Sequence, residues 1–271
     1  MTDGLVTVAW LADHLLEPRV LVADCRWYLG EPERGGAAYA ESHIPGALFV
    51  DLEHELSAPE GPGRHPLPAR ESLAATLESK GVGSDMSVVA YDDRGGAVAA
   101  RLWWMLRWLG HEDAAVLDGG LTAWIEAGLP TASAVPERPP ATLAIRDPLT
   151  RTIDRHELQG RIGSVALVDA RDADRYRGER EPVDAAAGHI PTAINVPYSD
   201  NLDTTLRFRP AEALAGLYPD GEVVVYCGSG VTACHDILAM RLAGRAEPIL
   251  YPGSWSDWSA TGGAVATGSQ P

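Results

Sequence analysis

The chain is poor in cysteine, short of positive charge and without long apolar runs. Only Cys25, Cys227 and Cys234 occur among its 271 residues. Three cysteines make no disulfide framework. Their sparse, odd number suits a reducing cytosol, where a thiol stays free for chemistry. Lys and Arg total 22 against 38 Asp and Glu, a formal net charge of −16 with a pI near 4.8. That balance argues against a uniformly basic nucleic-acid face and against an anionic membrane partner. No apolar run approaches the roughly 18 residues of a membrane span. The opening MTDGLVTVAWLADHLLEP lacks a basic n-region, so no secretory leader is expected. No Cys-x-x-Cys pair offers a zinc site. What is present, 45% hydrophobic and 22% charged residues, is ordinary globular composition.

The chain repeats itself. An apolar run ends in Asp24 and again in Asp169. His43-Ile44-Pro45 returns as His189-Ile190-Pro191. The runs ending at Tyr91 and Tyr226 correspond, as do the Gly-x-x-x-x-Trp patterns at Gly119–Trp124 and Gly253–Trp258. The displacement falls from about 145 to about 135 along the repeat. One insertion in the first half therefore lies between His43 and Tyr91, within the Pro/Gly-rich stretch 57–70. The predicted organisation is domain 1–130, a Pro-rich linker 131–150 and domain 151–271. Buried β-branched runs such as Val223–Val225 alternate with helical patterns. Val98, Leu102, Met105, Leu106 and Leu109 form one apolar helical stripe. Each half is expected to be an α/β domain, a parallel sheet with helices on both faces.

Chemistry concentrates in 227–232. A buried strand runs into Cys227-Gly228-Ser229-Gly230-Val231-Thr232, and a helical pattern begins at Ala233. Unpaired N–H groups at a helix start, curled inward by two glycines of positive φ, make an anion nest. Such a nest favours thiolate over thiol and would also hold a persulfide anion. Gly228 to Ala233 also matches a dinucleotide fingerprint, but too little chain follows it. A cysteine phosphatase needs Arg six residues after its nucleophile, where this chain has Ala233. In the repeat Cys227 falls opposite Asp92, which cannot carry sulfur and reads as a fixed anion filling the first nest. His43 and His189, retained in both halves, read as structural. Cys234 shares a helical face with Ile237 and Leu238 and reads as core.

The strings CGSGVTAC, YDDRGGAVAARLWW and GSWSDW and the two His-Ile-Pro motifs resemble the tandem-domain rhodanese family of sulfurtransferases, over roughly residues 5–262. The Cys227 loop is similar to its 3-mercaptopyruvate-using branch. The resemblance implies two rhodanese-like domains with one active cysteine, a persulfide cycle and no cofactor or metal. It implies 3-mercaptopyruvate as donor and a thiol, thioredoxin or cyanide as acceptor. Thiosulfate as donor and a persulfide carrier serving a partner protein are the alternatives. Arg175 matches the family's donor-binding arginine. A second family arginine falls on Val183, and Arg180 is the nearest substitute. The resemblance also implies a Ser229–His65–Glu53 arrangement, although the family carboxylate is usually Asp. Gly228, Gly230, Val231 and Thr232 complete the expected donor site.

Overall fold

The structure is a computed structural model that describes residues 4–271. It divides into two units. The first runs through Ala58 and adds Pro68–Leu149 and Thr204–Phe208. The second comprises Pro59–Leu67, Thr150–Asp203 and Arg209–Pro271. The middle of the predicted insertion thus belongs to the second unit.

The first unit holds strands β1 (Leu5–Val6), β2 (Val20–Asp24), β3 (Leu48–Phe49), β4 (Ser87–Tyr91) and β5 (Ala114–Leu117). They pair in parallel in the order β1-β5-β4-β2-β3. The second holds β6 (Arg151–Thr152), β7 (Ala166–Asp169), β8 (Ala193–Asn195), β9 (Val223–Tyr226) and β10 (Ile249–Leu250). Their order, β6-β10-β9-β7-β8, is the same permutation, again all parallel. Every residue of β2, β4 and β9 is buried. Strands covered on both faces need continuous apolar runs, which is why VLVAD, SVVAY and VVVY lack polar alternation. Helices connect the strands, as parallel pairing requires. The first helix of each unit starts on a side-chain cap: Thr7 accepts from Trp10 N and Asp154 from Glu157 N.

The repeat extends to buried polar groups. Asp24 takes a guanidinium from Arg26 and a hydroxyl from Tyr91, whose oxygen accepts from Ile44 N. Asp169 takes Arg171, and the Tyr226 oxygen accepts from Ile190 N. His43 stacks on Tyr39 and bonds its carbonyl, and His189 does the same with Tyr176. Both histidines therefore pin the chain before a strand, in keeping with their structural reading. The indole N–H groups of Trp124 and Trp258 each donate to a carbonyl six residues on, 2.8 Å away.

One pattern differs from expectation. Helix Ala99–Trp108 is buried from Ala99 through Arg107, not along a single stripe. Trp103, Trp104 and Arg101 lie off the apolar stripe yet are fully buried. The stripe marked one packed face, while the opposite face carries bulky residues that bury as well. The Pro-rich segment 131–150 contains no helix and is bonded along the first unit, through Ser84 N to Thr142 O and Arg146 N to Leu109 O. Among the described residues, no helix is long and apolar enough to cross a membrane.

Candidate active site

Cys227 follows directly on β9 and precedes helix Ala233–Leu242. Its N–H donates to Ser254 Oγ at 3.1 Å, and its carbonyl accepts from Trp255 N at 2.9 Å. The loop is thereby tied at both faces of the cysteine to helix Ser254–Ala260. Gly230 has φ +76°, and a Cβ there would lie 2.6 Å from Pro252 O. Gly228 has no positive φ, contrary to the expectation for both glycines. Its need is space: a Cβ would lie 2.8 Å from Arg64 Nη2 and 3.5 Å from Arg175 Nη1.

The first unit closes the corresponding loop on a carboxylate. Asp92 Oδ1 accepts from the N–H groups of Arg94 and Gly96, and Oδ2 from those of Val98 and Ala99, at 2.7–2.9 Å. The repeat places Ser229, Val231 and Ala233 opposite Arg94, Gly96 and Val98. Four donors on one carboxylate show what the first unit's loop holds, with Gly95 at φ +70° and Gly96 at φ +94°; of their counterparts only Gly230, at φ +76°, is left-handed. In the second unit the residue at that position is a cysteine.

A buried charge cluster flanks the loop. Arg171 pairs with Asp169 at 2.6 Å and lies over the Trp255 ring. It is the counterpart of Arg26 and a packing element. Arg175 engages Glu181 at 2.6 Å and Asp184 at 3.0 Å, and Arg64 also pairs with Asp184. His65 Nδ1 and Ser229 Oγ are 2.7 Å apart, both buried.

Residues 7–127 and 154–261 each match the rhodanese-like domain. The chain belongs to the rhodanese family of sulfurtransferases. A Pseudomonas aeruginosa protein named "Probable 3-mercaptopyruvate sulfurtransferase" is 47% identical over 94% of each chain. The human 3-mercaptopyruvate sulfurtransferase is 37% identical over 94% of this chain and 91% of its own. The Leishmania major 3-mercaptopyruvate sulfurtransferase structure superposes with a TM-score of 0.84 at 32% identity, covering 96% of this chain and 75% of that one.

In this family member the predicted residues separate clearly. Cys227, Gly228, Ser229, Gly230, Val231 and Thr232 lie on one loop, with His65 and Arg175 against it. Arg180 does not join them in any contact seen; half-exposed, it pairs with Asp174 at 2.6 Å and Asp172 at 3.5 Å. Val183, the other position considered for a second arginine, is exposed. Glu53 lies in the first unit, where its Oε1 accepts from Trp27 Nε1 at 3.0 Å. Sequence reasoning missed Arg64, which stood unremarked beside His65. It also missed Ser254, a non-glycine at φ +53° in the place where the first unit has Gly120 at φ +56°. The signal was the repeat itself. A serine tolerates this left-handed conformation here because its hydroxyl accepts from Cys227 N and donates to Tyr251 O.

The acids of the cluster are pulled in opposite directions. Burial drives Asp184 up from the usual carboxylate value, with Glu181 adding to it against Arg64 and Arg175. Burial also raises Glu181, but the Arg175 hydrogen bond and the Asp184 and Val183 N–H groups outweigh it and hold it below 4.5. A depressed carboxyl contributes stability above its unfolded pKa and loses it as pH falls through the folded value. Glu181→Gln is therefore expected to lower stability at pH 7 by roughly 1–3 kcal/mol. The gap to the parent protein should shrink as pH drops below 4.5. Thermal unfolding at pH 7 and in mild acid measures it, and a gap that does not narrow in acid overturns this account.

Proposed function

We propose that the chain transfers sulfane sulfur from 3-mercaptopyruvate to a thiol, thioredoxin or cyanide through a Cys227 persulfide. The observation that carries this is the repeated loop: Asp92 closes one copy with its own carboxylate, and Cys227 takes the same position, between strand and helix, in the other. Arg175 holds the donor carboxylate. The Cys227 thiolate attacks the donor sulfur, the C–S bond breaks, and its electron pair leaves with pyruvate enolate, which takes a proton to become pyruvate. The loop N–H groups steady the new outer sulfur. An acceptor thiolate then attacks that sulfur, the S–S bond breaks toward Cys227, and the thiolate is restored. His65, its Nδ1 2.7 Å from Ser229 Oγ, moves a proton in this cycle. The protein works in the cytosol, where its three free cysteines stay reduced.

Thiosulfate is the second reading. It is favoured by a rat thiosulfate sulfurtransferase 34% identical over 94% of this chain and 91% of its own, and by Val183 at the second family arginine. Cyanide-dependent turnover with each donor separates the two. Mercaptopyruvate is expected to exceed thiosulfate by about tenfold or more in kcat/KM, and Cys227 should gain one sulfur by intact mass before acceptor is added. A preference for thiosulfate overturns the donor assignment. No turnover of either donor, with rapid uptake of sulfur from a protein persulfide, makes the chain a carrier.

A further inference from the structure

Ser254 holds a backbone conformation that glycine adopts freely and serine does not. Its φ is +53°, and the first unit makes the same turn with Gly120 at φ +56°. There a side chain is shut out, because a Cβ on Gly120 would lie 2.1 Å from Asp92 O. In the second unit the turn admits a serine, and its hydroxyl is committed on both sides. Ser254 Oγ donates to Tyr251 O at 2.9 Å and accepts from Cys227 N at 3.1 Å. With its proton on that carbonyl, the hydroxyl presents a lone pair to the cysteine N–H and not a donor to the sulfur. Both residues are buried, so the Cys227 N–H has no ready substitute in bulk water.

The next two residues extend this grip. Trp255 N donates to Cys227 O and Ser256 N to Gly228 O, both at 2.9 Å. A trans peptide is planar, and its N–H and C=O point opposite ways. Carbonyls of 227 and 228 drawn toward residues 255 and 256 therefore turn the Gly228 and Ser229 N–H groups to the other side of the loop. In the first unit the position of Ser229 is taken by Arg94, whose N–H bonds the side chain of Asp92 at 2.8 Å. The same direction in the second unit aims the Ser229 N–H at the side of the Cys227 sulfur. Ser254 closes the first end of this arrangement, at the peptide that carries Cys227 itself. We infer that Ser254 is a positioning residue for sulfur transfer: its hydroxyl fixes the Cys227 N–H and so keeps the loop donors turned to the anionic sulfur. That a sulfur anion is the species served rests on the proposed function; the tie to Cys227 does not.

Variants of the full chain test this, with Cys227 alkylation by iodoacetamide read by peptide mass. The thiolate forms an S–C bond and expels iodide, so the rate follows how well the loop holds sulfur as an anion. Ser254→Gly is the first unit's own solution: it keeps the turn, relieves the backbone and drops the hydroxyl. Its melting temperature is expected within a few degrees of the parent, while alkylation at pH 7 falls by about tenfold, a gap that closes toward pH 10. The kcat for sulfur transfer should fall by a similar factor, with KM within about twofold. Ser254→Thr keeps the hydroxyl and adds a β-branched methyl in left-handed backbone, which Thr192 at φ +72° shows this chain to accept. It should melt lower yet be alkylated within about twofold of the parent. If it does not fold, Ser254→Ala takes its place; it drops the hydroxyl, keeps the Cβ and should react as Ser254→Gly does. Reactivity that follows melting temperature across the variants is what a purely structural serine would give, and it overturns the inference. So does Ser254→Gly alkylated within about twofold of the parent at pH 7. Alkylation that depends on Ser254 in a parent protein that transfers no sulfur overturns the proposed function and leaves the control of Cys227 standing.

Discussion

Cys227→Ser is expected to lower sulfur transfer by about a thousandfold or more, while Cys25→Ser and Cys234→Ser stay within a few-fold of the parent protein. A serine hydroxyl fits the loop and keeps the backbone bonds to Ser254 and Trp255, so the fold should persist. Oxygen, however, is not ionised near neutral pH and forms no persulfide. The other two thiols sit in fields that oppose reaction or leave nothing to react with. Burial pushes Cys25 well above its ordinary value, and the negative charges of Asp24 and Asp92 push it further. Cys234 is fully buried and its S–H donates to Gly230 O at 3.3 Å, a bond that serine reproduces. Intact mass after donor addition reads the result directly: one sulfur gained by the parent and by both control variants, and none by Cys227→Ser. A stable persulfide on the Cys227→Ser protein, or its loss from Cys25→Ser, overturns the assignment of the nucleophile.

The repeat made much of this protein readable before its structure. Both sheets, the strand ending at Cys227 and the helix from Ala233 followed from apolar runs whose length and lack of alternation demand two-sided burial. Asp92 opposite Cys227 followed from counting. What the sequence did not reveal was of two kinds. Arg64 is remote in sequence from the loop it faces, and only the fold of the second unit brings 59–67 onto Cys227. Nothing local distinguishes it from an arginine in any polar loop. The arginines of 171–180 posed the converse difficulty. They are alike in sequence, yet Arg171 is a buried partner of Asp169, Arg175 faces the loop, and Arg177 and Arg180 pair with acids at the surface. Spacing does not separate these fates, because burial does. Gly228 was misread for a related reason: glycine suggests a positive φ, whereas here two guanidinium groups occupy the space a side chain would need.

Asp92→Ala carries the largest expected effect on stability. Its carboxylate is the acceptor for four backbone N–H groups, all within 2.9 Å, in a residue only 1% exposed. Removing it strands buried donors, and each costs more unpaired than the bond it replaced was worth. Water that enters the vacated nest restores part of this, so the loss is expected at about 3–5 kcal/mol, or on the order of 10 °C in melting temperature. Asp92→Asn should fall between. It keeps one acceptor oxygen but turns an NH2 group toward donors that need an acceptor. The emptied nest should also take an anion, so chloride or sulfate is expected to raise the melting temperature of Asp92→Ala more than that of the parent protein. Below its melting temperature the variant should still transfer sulfur, because the nest it disrupts holds a carboxylate and not the nucleophile. Thermal unfolding across a salt series, with turnover measured on the same samples, separates the possibilities. An unchanged melting temperature with turnover lost would mean that Asp92 serves the chemistry and not the fold.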